Sequence, residues 1–296
     1  MIGFDGFAQG MIPCGDGALF VRHNNAPERP ALLLLHGYPQ TSAMWHLVAP
    51  LVAQNYHVIC PDLRGYGRSF KPTTTPDHES YSKRAMAGDM AHLLDHFGHV
   101  NAFVCGHDRG GRVAHRLALD HTDRVRALTV LDIAPTREMY RNTSEAFARA
   151  YWHWFFLILP APYPETLISA DPRGFWLGKN NRQAGRQTPY HPDALEEYLT
   201  AFEDPEVIRA TCEDYRAAAS IDIAHDDADG DRKLTQPLLA IWATEGAVGN
   251  CFDPLALWRE RAERVSGLSV DASHYMAEEI PDQIVFQIRR FFDAKS

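Results

Sequence analysis

Along this chain, short unbroken apolar runs alternate with longer amphipathic stretches. The run Ala31-Leu32-Leu33-Leu34-Leu35 ends at His36-Gly37 and is followed by a helix-like segment over residues 42–54. A continuous apolar run of about five residues marks a strand buried on both faces, and a helical period directly after it predicts a parallel strand feeding a crossover helix. The alternation repeats: strand 57–60, helix 81–97, strand 102–105, helix 111–120, strand 127–131. Repeated strand–helix units predict an α/β protein with a mostly parallel, doubly wound sheet. Ahead of them, residues 7–13 and 18–23 flank Gly15-Asp16-Gly17 and read as an opening β-hairpin.

After Pro135 the alternation stops. Residues 136–224 contain Trp152, Trp154, Phe155, Phe156 and Glu/Arg-rich stretches of helical period, with no strand-like run. Strand pattern resumes at 237–242, followed by a helix over 254–264, a short strand near 268–270 and a final amphipathic helix over 281–293. Residues 1–135 and 225–296 are therefore expected to form one core, interrupted by a helical cap (lid) over 136–224. Asp226 to Arg232 reads as a solvated acidic loop.

Composition narrows the partners. With 45% hydrophobic residues in 296, the chain has ample material for one large core with an insertion. A net charge of -9 argues against nucleic acid or an anionic membrane as partner. An anionic substrate would have to be met by locally placed cations. The five cysteines (Cys14, Cys60, Cys105, Cys212, Cys251) are scattered and never spaced as Cys-x-x-Cys, so neither a disulfide framework nor a zinc site is suggested. The first ten residues lack a basic-then-apolar signal pattern, and the longest aliphatic run is too short to span a bilayer. The expectation is a soluble cytoplasmic protein with a small-molecule substrate and no metal or organic cofactor.

The chemistry concentrates at Gly106-His107-Asp108-Arg109-Gly110-Gly111, directly after the strand at 102–105. The spacing Gly-x-nucleophile-x-Gly is that of a nucleophile elbow, a strained strand-to-helix turn that pushes its central side chain into the active site. Serine at the centre would imply acyl transfer. Aspartate instead suits displacement at an sp3 carbon, giving an alkyl-enzyme ester that water then cleaves. The competing reading makes Asp108 only a helix N-cap.

Other segments fall at predicted strand ends, where open parallel sheets place their ligands. In His36-Gly37-Tyr38-Pro39 the backbone N–H of Tyr38 is expected to face a developing oxyanion, paired with the N–H of Arg109. Asp62 and Arg64, in Asp62-Leu63-Arg64-Gly65, are assigned a structural turn. His274 follows the last strand, and its position in the chain order suits a general base. A base needs an orienting carboxylate; Asp132 and Glu245 compete for that role, with Asp132 preferred because Gly246 leaves Glu245 on a looser loop.

These segments together resemble the α/β-hydrolase fold as used by the fluoroacetate dehalogenase group, near relatives of haloalkane dehalogenases and epoxide hydrolases. The likeness spans essentially the whole chain. It is most specific at Gly106 to Arg112, because epoxide hydrolases usually carry tryptophan where this sequence has Arg109. The resemblance implies that Arg109 and Arg112 clamp the carboxylate of a haloacid, and forked guanidinium donors suit a planar carboxylate. A surface or interior ion pair of Arg112 with Asp120 or Asp132 is the alternative. The resemblance further implies that His153 and Trp154, in Tyr151-Trp152-His153-Trp154, bind the departing halide with Tyr215 of Glu213-Asp214-Tyr215-Arg216, and that the protein is a homodimer. Lid packing is the other reading of that aromatic cluster. The rival activity is epoxide hydrolysis, with Tyr215 and one of Tyr140, Tyr151 or Tyr163 as acids. A non-catalytic receptor on the same fold is a third reading.

Overall fold

Strands β1 (Phe7–Cys14), β2 (Gly17–Asn24), β3 (Ala31–Leu35), β4 (His57–Pro61), β5 (Ala102–His107), β6 (Val125–Leu131), β7 (Leu238–Ala243) and β8 (Val265–Val270) form one sheet in the computed structural model. It describes residues 3–184 and 189–295; Met1 and Ile2 of the N-terminal stretch and residues 185–188 of the expected cap lie outside the described residues. The strand order is β1-β2-β4-β3-β5-β6-β7-β8. The pairs β1/β2 and β2/β4 are antiparallel, and every pair from β4/β3 to β7/β8 is parallel. The opening hairpin closes tightly, with Cys14 opposite Gly17 and Gly15-Asp16 between them. All residues of β3, β4 and β5 are buried, which is why their sequences read as unbroken apolar runs.

Helices Lys83–His96, Arg109–Asp120 and Pro281–Asp293 form as the periodicity predicts, within a few residues. The expected helix over 42–54 does not run through: a 3-10 turn at Ser42–Trp45 is followed by a single turn at Ala49–Val52. Pro50 explains the break, because it lacks an N–H and its ring would clash with the carbonyl of residue 46 in a continuous helix. The helix expected over 254–264 stops at Arg261, since β8 already begins at Val265.

Between β6 and β7 the chain folds as a succession of helices, from Thr136–Arg141 to Ile221–Asp229. That last helix crosses residue 224 and corrects the reading of Asp226 to Arg232 as a solvated loop. Asp226 and Asp229 are helical, and each accepts a 2.5 Å bond from the buried Arg116. A buried guanidinium needs counter-charges, so Asp226 and Asp229 turn inward, while Asp227 and residues 230–232 stay exposed as expected. No helix among the described residues is long and apolar enough to cross a membrane.

The sheet sets the site. Strand β3 lies between β4 on one side and β5 on the other, so the order of strands reverses there, and the carboxyl ends of strands at such a switch point frame a crevice. Tyr38 follows β3, Asp108 follows β5, Asp132 follows β6, Glu245 follows β7 and His274 follows β8.

Candidate active site

Asp108 occupies the tip of the turn between β5 and helix Arg109–Asp120 with φ 45° and ψ -114°. Left-handed φ is costly for a side-chain-bearing residue, and its neighbours enforce it. A Cβ at Gly106 would sit 2.4 Å from the Gly110 carbonyl oxygen, and one at Gly110 would sit 2.3 Å from that of Leu35. Only glycine lets the helix start this close to β3 and β5. The Asp108 side chain makes no cap hydrogen bond to its helix. Instead its Oδ1 accepts the backbone N–H of Tyr38 at 2.9 Å, and its Oδ2 lies 4.0 Å from Nε2 of His274.

On its other ring nitrogen, His274 Nδ1 donates to Oδ2 of Asp132 at 2.6 Å. Asp132 is itself fixed: Oδ1 accepts the N–H of Ala243 at 3.0 Å, and its backbone also takes a positive φ of 51°. Of the two carboxylates weighed for this position, Asp132 makes the contact, while Glu245 lines a cavity farther out. A support absent from the sequence reading is His107, whose Nε2 donates to the carbonyl oxygen of His274 at 2.8 Å. Burial, followed by the neighbouring His274, pushes His107 down to about 3, so it stays neutral.

Arg109 and Arg112 are both buried, and both bring positive charge close to Asp108. Arg109 points its Nε and Nη2 at the two carboxylate oxygens of Asp214, each at 2.8 Å. Lys83 binds the same carboxylate from the other side. Arg112 pairs with neither Asp120 nor Asp132: it donates to the Ala134 carbonyl at 3.0 Å and to the Thr136 hydroxyl at 2.8 Å. Arg109 Nη1 and Arg112 Nε are buried without a hydrogen-bond partner. Burial opposes ionisation of Asp108, but the neighbouring His274 and the guanidinium charges of Arg109 and Arg112 outweigh it and hold the carboxyl well below the usual range.

The aromatic residues of the cap close over this group. The Tyr215 ring packs on the Arg109 guanidinium at 4.3 Å and the Trp154 ring on Arg112 at 4.7 Å. Ring centroids of Tyr38, His153 and Tyr215 lie 5.2 to 5.9 Å apart. His153 Nδ1, Trp154 Nε1 and the Tyr215 hydroxyl are all buried without a hydrogen-bond partner. Burial, with the charge of Lys179 next, pushes His153 well below its ordinary value, and it is neutral. Of the other cap tyrosines, Tyr140 has a buried hydroxyl with no partner beside Trp154, whereas Tyr163 is 58% exposed and lies outside the site.

No sequence pattern marks Asp214, Lys83, Lys179 or His107 as part of the site. Asp214 stands in the quoted run before Tyr215, but nothing local ties it to Arg109, 105 positions away. Among the described residues, no cluster of three or more His, Cys, Asp or Glu is arranged to hold a metal ion.

Residues 30–206 match the family model for the α/β hydrolase fold. A fluoroacetate dehalogenase from Burkholderia sp. is 42% identical over 295 residues, covering 99% of this chain and 96% of that protein. The chain belongs to the α/β-hydrolase family, in its fluoroacetate dehalogenase group. It is a hydrolase. A soluble epoxide hydrolase from Corynebacterium sp. (strain C12) is 32% identical over 88% of this chain and 89% of that protein. A solved α/β hydrolase from Nostoc sp PCC 7120, ALR0039, superposes with TM-score 0.95 at 47% identity, covering 98% of this chain and 99% of that one. In this dehalogenase-group hydrolase the match spans the elbow, the following strand ends and the cap helices alike.

Proposed function

We propose that this protein hydrolyses fluoroacetate or a related haloacetate to glycolate and halide through an ester on Asp108. The observation that carries this reading is a set of buried polar atoms with no partner of their own, the donors Arg109 Nη1, Arg112 Nε, Trp154 Nε1 and the Tyr215 hydroxyl together with His153 Nδ1, gathered around one ionised carboxylate. Leaving buried donors unmatched costs about 1 to 3 kcal/mol each, so the site suits a ligand that brings acceptors. A haloacetate brings two kinds: a carboxylate for the arginines and a departing halide for the ring donors.

In this mechanism Oδ2 of Asp108 attacks the α-carbon as the carbon–halogen bond breaks, because Oδ1 is already held by the Tyr38 amide. The halide leaves toward His153, Trp154 and Tyr215. His274, oriented by Asp132, takes a proton from water as the hydroxide adds to Cγ of the ester. The oxyanion develops on Oδ1 against the N–H groups of Tyr38 and Arg109. Collapse returns the proton to the glycolate oxygen, and the second proton of water leaves as Asp108 re-ionises. The helical segment 136–224 serves as the lid that excludes bulk water. The five cysteines are unpaired, and a cytoplasmic homodimer is part of this reading.

Epoxide hydrolysis remains the alternative, favoured by the partnerless hydroxyls of Tyr140 and Tyr215. Two buried guanidinium groups give a neutral epoxide nothing to bind, which places the haloacid first. The test is a panel of fluoroacetate, chloroacetate, a haloalkane and an epoxide. Halide release confined to the acids is expected; diol formation without halide release would reverse the order.

A further inference from the structure

Lys179 takes no part in the scheme above. It projects from the cap helix Pro172–Ala184 and is only 3% exposed, with Nζ 4.5 Å from the Tyr38 ring centroid. Its hydrogen bond goes to a neutral group, Asn180 Oδ1 at 3.0 Å. Asn180 is fixed in turn by the Trp176 carbonyl and the Tyr275 hydroxyl. Three other buried cations have carboxylate partners, Arg109 and Lys83 on Asp214 and Arg116 on Asp226, whereas Arg112 of the site, like Lys179, has only neutral ones. Lys179 has no ion pair among the described residues. A buried ammonium whose hydrogen bond goes only to a neutral group is poised for an anion from outside.

The same side chain lines a cavity of about 380 Å³ that runs outward from His274 and His153 to Arg149, which is exposed at the rim and paired with Glu145. Asp108, Arg109 and Arg112 do not line this cavity, so an anion that enters by it reaches Lys179, His153 and His274 before any of the three.

We propose that Lys179 is a specificity-determining residue of the substrate channel: its ammonium receives the carboxylate on the way in and selects acids over neutral compounds, ahead of the arginine pair. This rests on the haloacid reading for its substrate, though anion capture itself does not require turnover. Burial pushes Lys179 down from the ordinary lysine value to about 7, with Asp108 opposing the fall. The groups facing it are the Tyr38 phenol and His153, both neutral, ionised Asp108, His274, and across the cavity Glu245 and Arg149. Capture is therefore strong below about pH 7 and fades above it, as the ammonium loses its proton.

The experiment compares wild type with Lys179→Met and Lys179→Arg. For chloroacetate at pH 6, K179M should lose about tenfold or more in kcat/KM, in line with the 10- to 1000-fold range of electrostatic focusing, while kcat changes less than twofold. The wild-type to K179M ratio should shrink toward one by pH 9. K179R should retain the wild-type kcat/KM and carry it past pH 8. A K179M that loses kcat and kcat/KM equally at every pH, or neither, overturns the proposal. Calorimetric binding of acetate at pH 6, weakened tenfold in K179M with K179R retained, reads the same capture without turnover. Acetate capture that depends on Lys179 in a wild type that releases no halide would sink the dehalogenase reading alone. Halide release with acetate binding unchanged in K179M would sink the Lys179 role alone.

Discussion

Asp214 grips Arg109 through both carboxylate oxygens at 2.8 Å, and neither side chain has exposed surface. This pair fixes the guanidinium so that Nη1 alone is left for a ligand. It also answers a question of charge, since two arginines beside Asp108 would otherwise be balanced only by substrate. Arg109 brings its own counter-ion from the cap.

Removing that counter-ion should be severe. Asp214→Asn leaves Arg109 and Lys83 buried and positive, and breaking a buried pair costs about 3 to 5 kcal/mol. Urea unfolding is expected to show a loss of this size, together with a fall in kcat/KM. A variant within 1 kcal/mol of wild type would mean that the ion pair does not hold the cap to the elbow.

Because the Tyr38 amide holds Oδ1 of Asp108, Oδ2 is the atom expected to join the substrate carbon. In a single turnover in 18O-water the label should therefore enter Asp108 rather than glycolate. His274→Asn should release one equivalent of halide and leave the ester in place, seen by mass spectrometry as an adduct on the Asp108 peptide. Asp108→Asn should release none. Label appearing directly in glycolate would favour attack by water without a covalent step.

Tyr215→Phe deletes one halide donor while keeping the ring on Arg109. A hydrogen bond to a charged acceptor contributes about 1.5 to 3 kcal/mol, so kcat for fluoroacetate should fall roughly 10- to 150-fold. Chloroacetate should lose less, because chloride depends less on strong donors than fluoride does. Equal losses for both substrates would count against a halide role for this hydroxyl.

Glu278 offers a pH test of the core beneath the cap. It accepts from Gln40 at 2.6 Å and from Tyr198 of the cap at 3.1 Å. Burial pushes its carboxyl up to about 8, against the two hydrogen bonds. The folded protein keeps it protonated where the unfolded chain ionises near 4.5, so its contribution is full below pH 4.5, is lost as pH rises to about 8, and is flat beyond. Glu278→Gln, which cannot ionise, should gain on wild type by roughly 3 to 5 kcal/mol between pH 4.5 and 8. A stability difference that stays constant with pH would show that Glu278 is ionised throughout.

Local pattern alone carries the strands β3 to β8, the elbow at Asp108 and the position of His274, because unbroken apolar runs, a Gly-x-Asp-x-Gly turn and chain order are each properties of neighbouring residues. It also carries the helical character of the segment after Pro135. Pairings across long separations were decided only by the fold: His274 with Asp132, 142 positions apart, Arg109 with Asp214, and Arg116 with the acidic run expected in solvent. Lys179 is the clearest case, an ordinary surface residue type in sequence that the cap buries against Tyr38. The physical reason is that apolar periodicity is written along the chain, whereas the partner a buried charge must find depends on which distant backbone the sheet brings beside it.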